Sequence, residues 1–228
     1  MYIFKMNEQF SSLSKELTKK IENNEKKSNG IYFTPKCIVL EMILICKKYN
    51  KKIKRVLEPS CGSCQVINEV DKEYSNIVID GIEYNNTIFT EIKALEFNNN
   101  VNLVNMDVDE KYHEYFNGRP NIFMLFIIKA LGELNINGIL AFVLPKNFLN
   151  CNYYNELREY INDKFKILSV YDHSDKKYIE TGQETITVII QKKKAKYINS
   201  KFVLEFEKNI IFNTKEGKKR LKEYYKGA

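Results

Sequence analysis

The chain has 228 residues, 44% of them hydrophobic and 29% charged, with a formal net charge of +7. That length supports one well-cored domain with short extensions, and the balance is that of an ordinary globular protein, not a disordered or fibrous one. The longest apolar runs, such as 122–128 closed by Lys129, fall far short of the roughly 20 residues a membrane span requires. Met1–Asn7 also lacks the basic-then-apolar layout of a signal peptide, so a cytoplasmic setting is expected.

In chain order, residues 1–28 predict a polar helical extension with Phe10, Leu13, Leu17 and Ile21 as a sparse apolar stripe. A second helix is predicted from Lys36 to Tyr49, opened by Pro35, whose missing N–H costs nothing at a helix start. Strand-like and helix-like runs then alternate. Strands are expected at Arg55–Glu58, Asn76–Glu83, Val101–Met106, Ile139–Leu144, Ile167–Asp172 and Thr185–Gln191. Helices are expected at Val66–Val70, Thr87–Phe97, Ile122–Leu134 and Tyr153–Phe165. Such alternation predicts an α/β chain with a mostly parallel, doubly wound sheet. Residues 196–228 read as a basic tail with one further strand at Phe202–Phe206 and a lysine-rich helix. The interval 107–121 breaks the rhythm, because it is polar and aromatic where an apolar strand belongs.

Five cysteines (37, 46, 61, 64 and 151) form no disulfide framework, and reduced thiols are expected. Cys61 and Cys64 make a Cys-x-x-Cys pair, but a zinc site needs a second ligand pair and the histidines are His113 and His173, far apart; no metal is expected. The positive charge suits a polyanionic partner such as DNA and equally suits a solvated lysine-rich surface.

Candidate binding residues cluster at successive strand ends, where open α/β sheets bind ligands. The first strand runs into Glu58-Pro59-Ser60-Cys61-Gly62-Ser63, a tight turn whose glycine lets backbone N–H groups approach a small ligand. The second ends in Glu83, at the spacing from Gly62 of the acid that accepts ribose hydroxyls about 20 residues on in dinucleotide folds. The third ends in Asp107, placed to accept from an adenine amino group. Any one acid alone is commonly a solvated strand terminus; three in succession make a pattern.

Gly30-Ile31-Tyr32-Phe33-Thr34-Pro35 followed by Leu57-Glu58-Pro59-Ser60-Cys61-Gly62-Ser63 resembles the opening of the N6-adenine-specific DNA methyltransferase family, in the branch of restriction–modification systems and large DNA viruses. Asn117–Phe123, Gly138–Pro145 with Asn147–Leu149, and Gln183-Glu184-Thr185 are similar to later segments of that branch, so the likeness spans 29–195. It implies a Rossmann-like S-adenosylmethionine-dependent methyltransferase fold over 29–195, flanked by the 1–28 extension and the 196–228 tail. It implies S-adenosylmethionine as cofactor, held by Phe33, Thr34, Pro35, Glu58, Pro59, Ser60, Cys61, Gly62, Glu83 and Asp107. In these terms Phe33-Thr34-Pro35 lies over the methionine part, the Glu58–Gly62 turn contacts its amino-acid end, Glu83 binds ribose and Asp107 the adenine amine. The implied function is site-specific methylation of adenine N6 in DNA, with DNA and a specificity subunit as partners, since the residues after Lys196 are too few for a target-recognition domain.

Two features depart from the family pattern. Cys64 stands where a second glycine is usual, which restricts the backbone. More seriously, the catalytic Asn/Asp-Pro-Pro-Tyr/Phe segment is missing: the four prolines are 35, 59, 120 and 145, and no two are adjacent. The fourth strand and that loop look deleted together after Asp107, which would leave the fifth strand to pair with the first directly or leave buried backbone unpaired. Tyr115 and Phe116 could stack on a flipped base and Asn117 offer an amide in its place; equally, the aromatics could pack a sheet edge. The alternative function is a degenerate, non-catalytic cofactor- or DNA-binding remnant of the family.

Overall fold

The computed structural model describes residues 9–50, 52–106, 122–179 and 181–193. Asp107, Tyr115, Phe116, Asn117, the interval where a strand is expected to be missing, and the 196–228 tail lie outside the described residues. The chain divides into two compact units, 1–122 with 177–182, and 123–176 with 183–228.

In the first unit, helices α1 (Ser12–Lys20), α2 (Asn23–Asn29) and α3 (Lys36–Tyr49) precede a β-α-β-α-β run. That run is β1 (Arg55–Glu58), α4 (Gln65–Glu73), β2 (Val78–Glu83), α5 (Asn86–Ile92) and β3 (Asn100–Asn105). The strands pair in the order β1-β2-β3, all parallel, with Glu58 opposite Gly81 and Glu83 opposite Asn105. Both connections carry a helix, as parallel pairing requires. The expected polar helix over 1–28 is instead two helices among the described residues. Extended backbone at Ile21 and Glu22 separates them, and Ile21 turns inward, with 3% exposure.

The unit's core lies on one face of the sheet. Leu17 and Ile21 of the N-terminal segment join Val39 and Ile43 of α3, Ile67 and Val70 of α4, Ile79 of β2, and Ile88 and Ile92 of α5. On the other face Leu57 is exposed, and Arg55 Nε donates to Asp80 Oδ2 at 2.8 Å across the strands.

The second unit holds α6 (Ile122–Glu133), β4 (Ile139–Pro145), short 3₁₀ turns at Lys146–Leu149 and Asn152–Tyr154, α7 (Asn155–Lys164), β5 (Phe165–Asp172) and β6 (Thr185–Lys192). Its sheet has the order β4-β6-β5, and β6 runs antiparallel to both neighbours. The reason is the connection: no helix is described between Asp172 and Thr185, so the chain returns alongside β5 without a crossover. Residues 185–191 of β6 are buried on both sides, which is why the strand reads as a near-continuous apolar run. Arg158 is fully buried, and its Nη1 donates to the carbonyls of Phe148 and Cys151 at 2.7 and 2.8 Å, fixing the chain as it leaves β4. No helix of the described residues is long and apolar enough to cross a membrane.

Gly81 marks the tightest approach in the parallel sheet. A Cβ there would sit 2.6 Å from Ile67 Cδ1 and 2.7 Å from Leu103 Cδ2. Gly81→Ala is therefore expected to destabilise the fold by about 1–3 kcal/mol through overpacking, measured as a lowered urea midpoint; an unchanged midpoint would show that the contact between α4 and the sheet gives freely.

Candidate functional site

The carboxyl ends of β1, β2 and β3 converge on one side chain, Glu83. It is buried, with 6% exposure. Its Oε2 accepts from the Gly62 N–H at 2.9 Å and its Oε1 from the Asn85 N–H at 2.7 Å. Gly62 belongs to the turn leaving β1, Asn85 to the turn leaving β2, so one carboxylate ties two strand exits together. The Glu83 backbone is held from the far side, where its carbonyl accepts from Asn105 Nδ2 at 2.8 Å and from the Met106 N–H at 3.3 Å. Burial raises the Glu83 pKa, and the N–H groups of Asn85, Gly62 and Tyr84 pull it back by favouring the ionised form.

The turn after β1 owes its shape to two left-handed residues. Gly62 has φ +53°, where a side chain is strained, and Cys64 has φ +58° and ψ +22°. Cys64 thus keeps the conformation glycine would adopt, at a cost of about 1–2 kcal/mol, offset by complete burial of its thiol in the core. The Cys61 N–H donates to the Ile82 carbonyl and the Cys64 N–H to the Cys61 carbonyl, both at 2.8 Å. The Cys61 thiol is pushed far up by its hydrogen bond to Cys64, then by burial and by the Cys64, Glu83 and Glu58 charges. A thiol so disfavoured as thiolate is a poor nucleophile in this setting.

Glu58 closes β1 half-buried, with a single long hydrogen bond from the Ser60 N–H at 3.4 Å. Burial pushes it up to about 7, against a downward pull from the Ser60 N–H and with a smaller upward push from the Glu83 charge. Two carboxyl groups therefore adjoin at the strand ends, one gripped by amides and the other poorly compensated.

Among the expected residues, the structure brings Phe33, Glu58, Cys61, Gly62 and Glu83 together. The Phe33 ring lies over the glycine turn, 3.6 Å from where a Gly62 Cβ would stand. Pro35 is buried and opens α3, its carbonyl accepting from the Ile38 and Val39 N–H groups at 3.0 and 3.2 Å. Thr34 and Pro59 are half-buried and Ser60 is exposed. Asn85, which the sequence reading passed over, supplies one grip on Glu83 and also caps α5, its Oδ1 accepting from the Ile88 N–H at 3.1 Å. An Asn just before a helix was a legible signal. Ser14 and Glu25 bear on the same cradle from far along the chain and carried no such signal.

A concavity of about 670 Å³ opens at the opposite end of the sheet near Asn76, Asn98 and Asn100. Its carboxylate, Asp71, is satisfied by the amides of Asn98 and Asn99 and is held down by them. These bonds tie α4 to the start of β3.

Residues 85–179 match the model of the Eco57I restriction-modification methylase family. The chain is 26% identical over 197 residues to Modification methylase CviBIII of Paramecium bursaria Chlorella virus NC1A, covering 74% of this chain and 52% of that protein. It is 25% identical over 213 residues to Type II methyltransferase M.CvrRI of Paramecium bursaria Chlorella virus XZ-6E, covering 83% and 55% respectively. The chain thus spans about half the length of these curated relatives. Among solved structures, a putative class I S-adenosylmethionine-dependent methyltransferase from Listeria monocytogenes superposes with a TM-score of 0.61 at 15% identity, over 85% of this chain and 69% of that one. The type I restriction-modification methyltransferase subunit from Streptococcus thermophilus gives 0.55 at 17% identity, over 86% and 53%. The fold is that of the S-adenosylmethionine-dependent methyltransferases.

Glu58 is expected to titrate near pH 7 in the ligand-free protein, followed by its carboxyl carbon resonance, and Glu83→Gln should lower that midpoint by removing a like charge. Because the folded pKa lies above the ordinary value of 4.5, this group's effect on stability is nil at low pH. Stability falls as pH rises from 4.5 toward 7 and then levels, by at most roughly 3 kcal/mol. A Glu58 midpoint near 4.5 would show that the carboxyl is not desolvated at the end of β1.

Proposed function

We propose that this chain, a relative of the restriction–modification methylases, binds S-adenosylmethionine at the carboxyl ends of β1–β3 and serves methylation of adenine N6 in DNA. The observation that carries the reading is the Glu83 carboxylate gripped by the Gly62 and Asn85 amides. Each oxygen accepts one backbone N–H and keeps lone-pair capacity, so the fixed group can accept the two vicinal hydroxyls of a ribose. Glu58 fits the other end of such a ligand. A half-buried carboxyl with one long hydrogen bond, raised to about 7, is stabilised in its ionised form by an adjacent cationic ammonium.

Phe33 supplies an apolar wall beside the turn. In the proposed set, Phe33, Thr34, Pro35 and the Glu58–Gly62 turn face the amino-acid portion, Glu83 the ribose, and Asp107 the adenine. The bound cofactor would supply an electrophilic methyl group, and this chain's residues bind and orient it. The proposal extends to a catalytic domain over 29–195 between the 1–28 extension and the 196–228 tail, to a cytoplasmic setting, and to DNA and a specificity subunit as partners.

A second reading, a binding-only remnant, is favoured by one sequence fact: no two prolines are adjacent anywhere in the chain. Without a clamp on the target amine, positioning that can supply several kcal/mol of barrier lowering is lost.

Calorimetry with S-adenosylmethionine is expected to show binding that Glu83→Ala weakens at least about tenfold, the loss of roughly one charge-assisted contact. Affinity should strengthen by up to about tenfold per pH unit below pH 7 as Glu58 ionises, and Glu58→Gln should flatten that slope. Absence of binding at millimolar ligand would overturn both readings. Transfer of tritiated methyl to adenine-containing DNA would carry the enzyme reading, and binding without transfer would select the remnant.

A further inference from the structure

The N-terminal helices do more than cover the core. We infer that Ser14 of α1 and Glu25 of α2 are positioning residues for the Glu83 cradle, each holding the segment that presents one of its two amide donors. Ser14 Oγ lies 2.7 Å from Ser63 Oγ, and both residues are buried, at 0% and 3% exposure. Ser63 directly follows Gly62, whose N–H grips Glu83 Oε2. On the other side Glu25 Oε1 accepts from Asn85 Nδ2 at 2.6 Å, and the N–H of that same Asn85 grips Glu83 Oε1.

The two helices are bound to each other beside these residues. Thr18 Oγ1 donates to the Ser14 carbonyl at 2.7 Å, and the buried Lys26 Nζ donates to the Thr18 carbonyl at 2.6 Å. Ser11 caps α1, its Oγ accepting from the Ser14 N–H at 3.0 Å, and lies 2.8 Å from Ser14 Oγ.

Packing alone does not call for this arrangement. Leu17 and Ile21 already bury the apolar stripe of the N-terminal segment. Polar groups at buried positions are costly unless paired, so a segment that served only as cover would present more apolar side chains. Here the long-range polar contacts fall on both sides of one carboxylate, each next to a different donor. The consequence is that α1 and α2 set the distance between the exits of β1 and β2, and with it how rigidly Glu83 is aimed. A bound ligand then meets a preorganised acceptor, which lowers the ordering cost of binding.

The functional meaning of this inference rests on reading Glu83 as the ribose acid, so its test separates the two. The full chain and the double variant Ser14→Ala/Glu25→Ala are titrated with S-adenosylhomocysteine, and the amide proton shifts of Gly62 and Asn85 are recorded by NMR. The double variant is expected to bind about tenfold more weakly, with both amide protons moving upfield as their carboxylate bonds lengthen. Lys20→Ala, which removes the ion pair of α1 with Glu91 without touching the cradle, should leave both shifts unchanged and affinity within twofold. Thermal unfolding confirms that each variant is folded at the titration temperature. Should the double variant not fold, Ser14→Ala alone is expected to move the Gly62 amide and Glu25→Ala alone the Asn85 amide. Unchanged shifts and affinity in a folded variant, or an equal loss in Lys20→Ala, would overturn the inference. Absence of binding by the unmodified chain would retire the cofactor reading instead, and the amide shifts would still decide whether the helices set the cradle.

Discussion

Two backbone amides on one buried carboxylate hold the working end of this protein together. Glu83 is the last residue of β2, and its oxygens reach forward to Asn85 and sideways to Gly62. A buried carboxylate without such donors would be strongly penalised. With them, the upward push of burial on its pKa is partly offset. The same bonds fix the turn after β1 relative to the turn after β2, so a ligand lying across both strand exits meets a rigid surface. The parallel register of β1 and β2, with Glu58 beside Gly81, brings the exits within reach, and the absence of a side chain at Gly81 lets Ile67 and Leu103 close over the sheet beneath.

The turn itself shows how a departure from the expected sequence can leave geometry intact. A cysteine where glycine is usual predicts a narrower choice of backbone. Cys64 nonetheless adopts the left-handed conformation, because its side chain is completely buried among the apolar residues of α4 and β2. Local strain is offset by tertiary packing, and the N–H groups of the turn keep their places. The hydrogen bond to Cys64, and then burial, push the Cys61 thiol far up.

Most of the fold was legible because its signals are local. The apolar runs at Arg55–Glu58, Ile139–Leu144 and Thr185–Gln191 match β1, β4 and β6 to within a residue at each end, and Pro35 opens α3 where its missing N–H predicts. The direction of β6 was not legible from periodicity, which is the same for strands running either way; only the helix-free link after Asp172 distinguishes them. In the N-terminal segment helical spacing continues through Ile21, yet the chain bends there because that residue is drawn into the core. At the site, glycine and acid at the ends of β1 and β2 could be read as a pair by their spacing. The ties from Ser14 and Glu25 span 49 and 60 residues, and nothing in the neighbourhood of a serine or a glutamate announces a partner so far away.

A donor pocket and a target clamp are physically separable. Among the described residues, the groups that grip Glu83, raise Glu58 and shape the glycine turn lie between residues 14 and 106 within one compact unit. The cradle's energetics are local hydrogen bonds and burial, and these persist whether or not an amine is held nearby. The clamp's contribution is positional and counts only when a second substrate is present. A chain can therefore lack the second without disturbing the first, so a formed Glu83 cradle and the absence of adjacent prolines are not in contradiction.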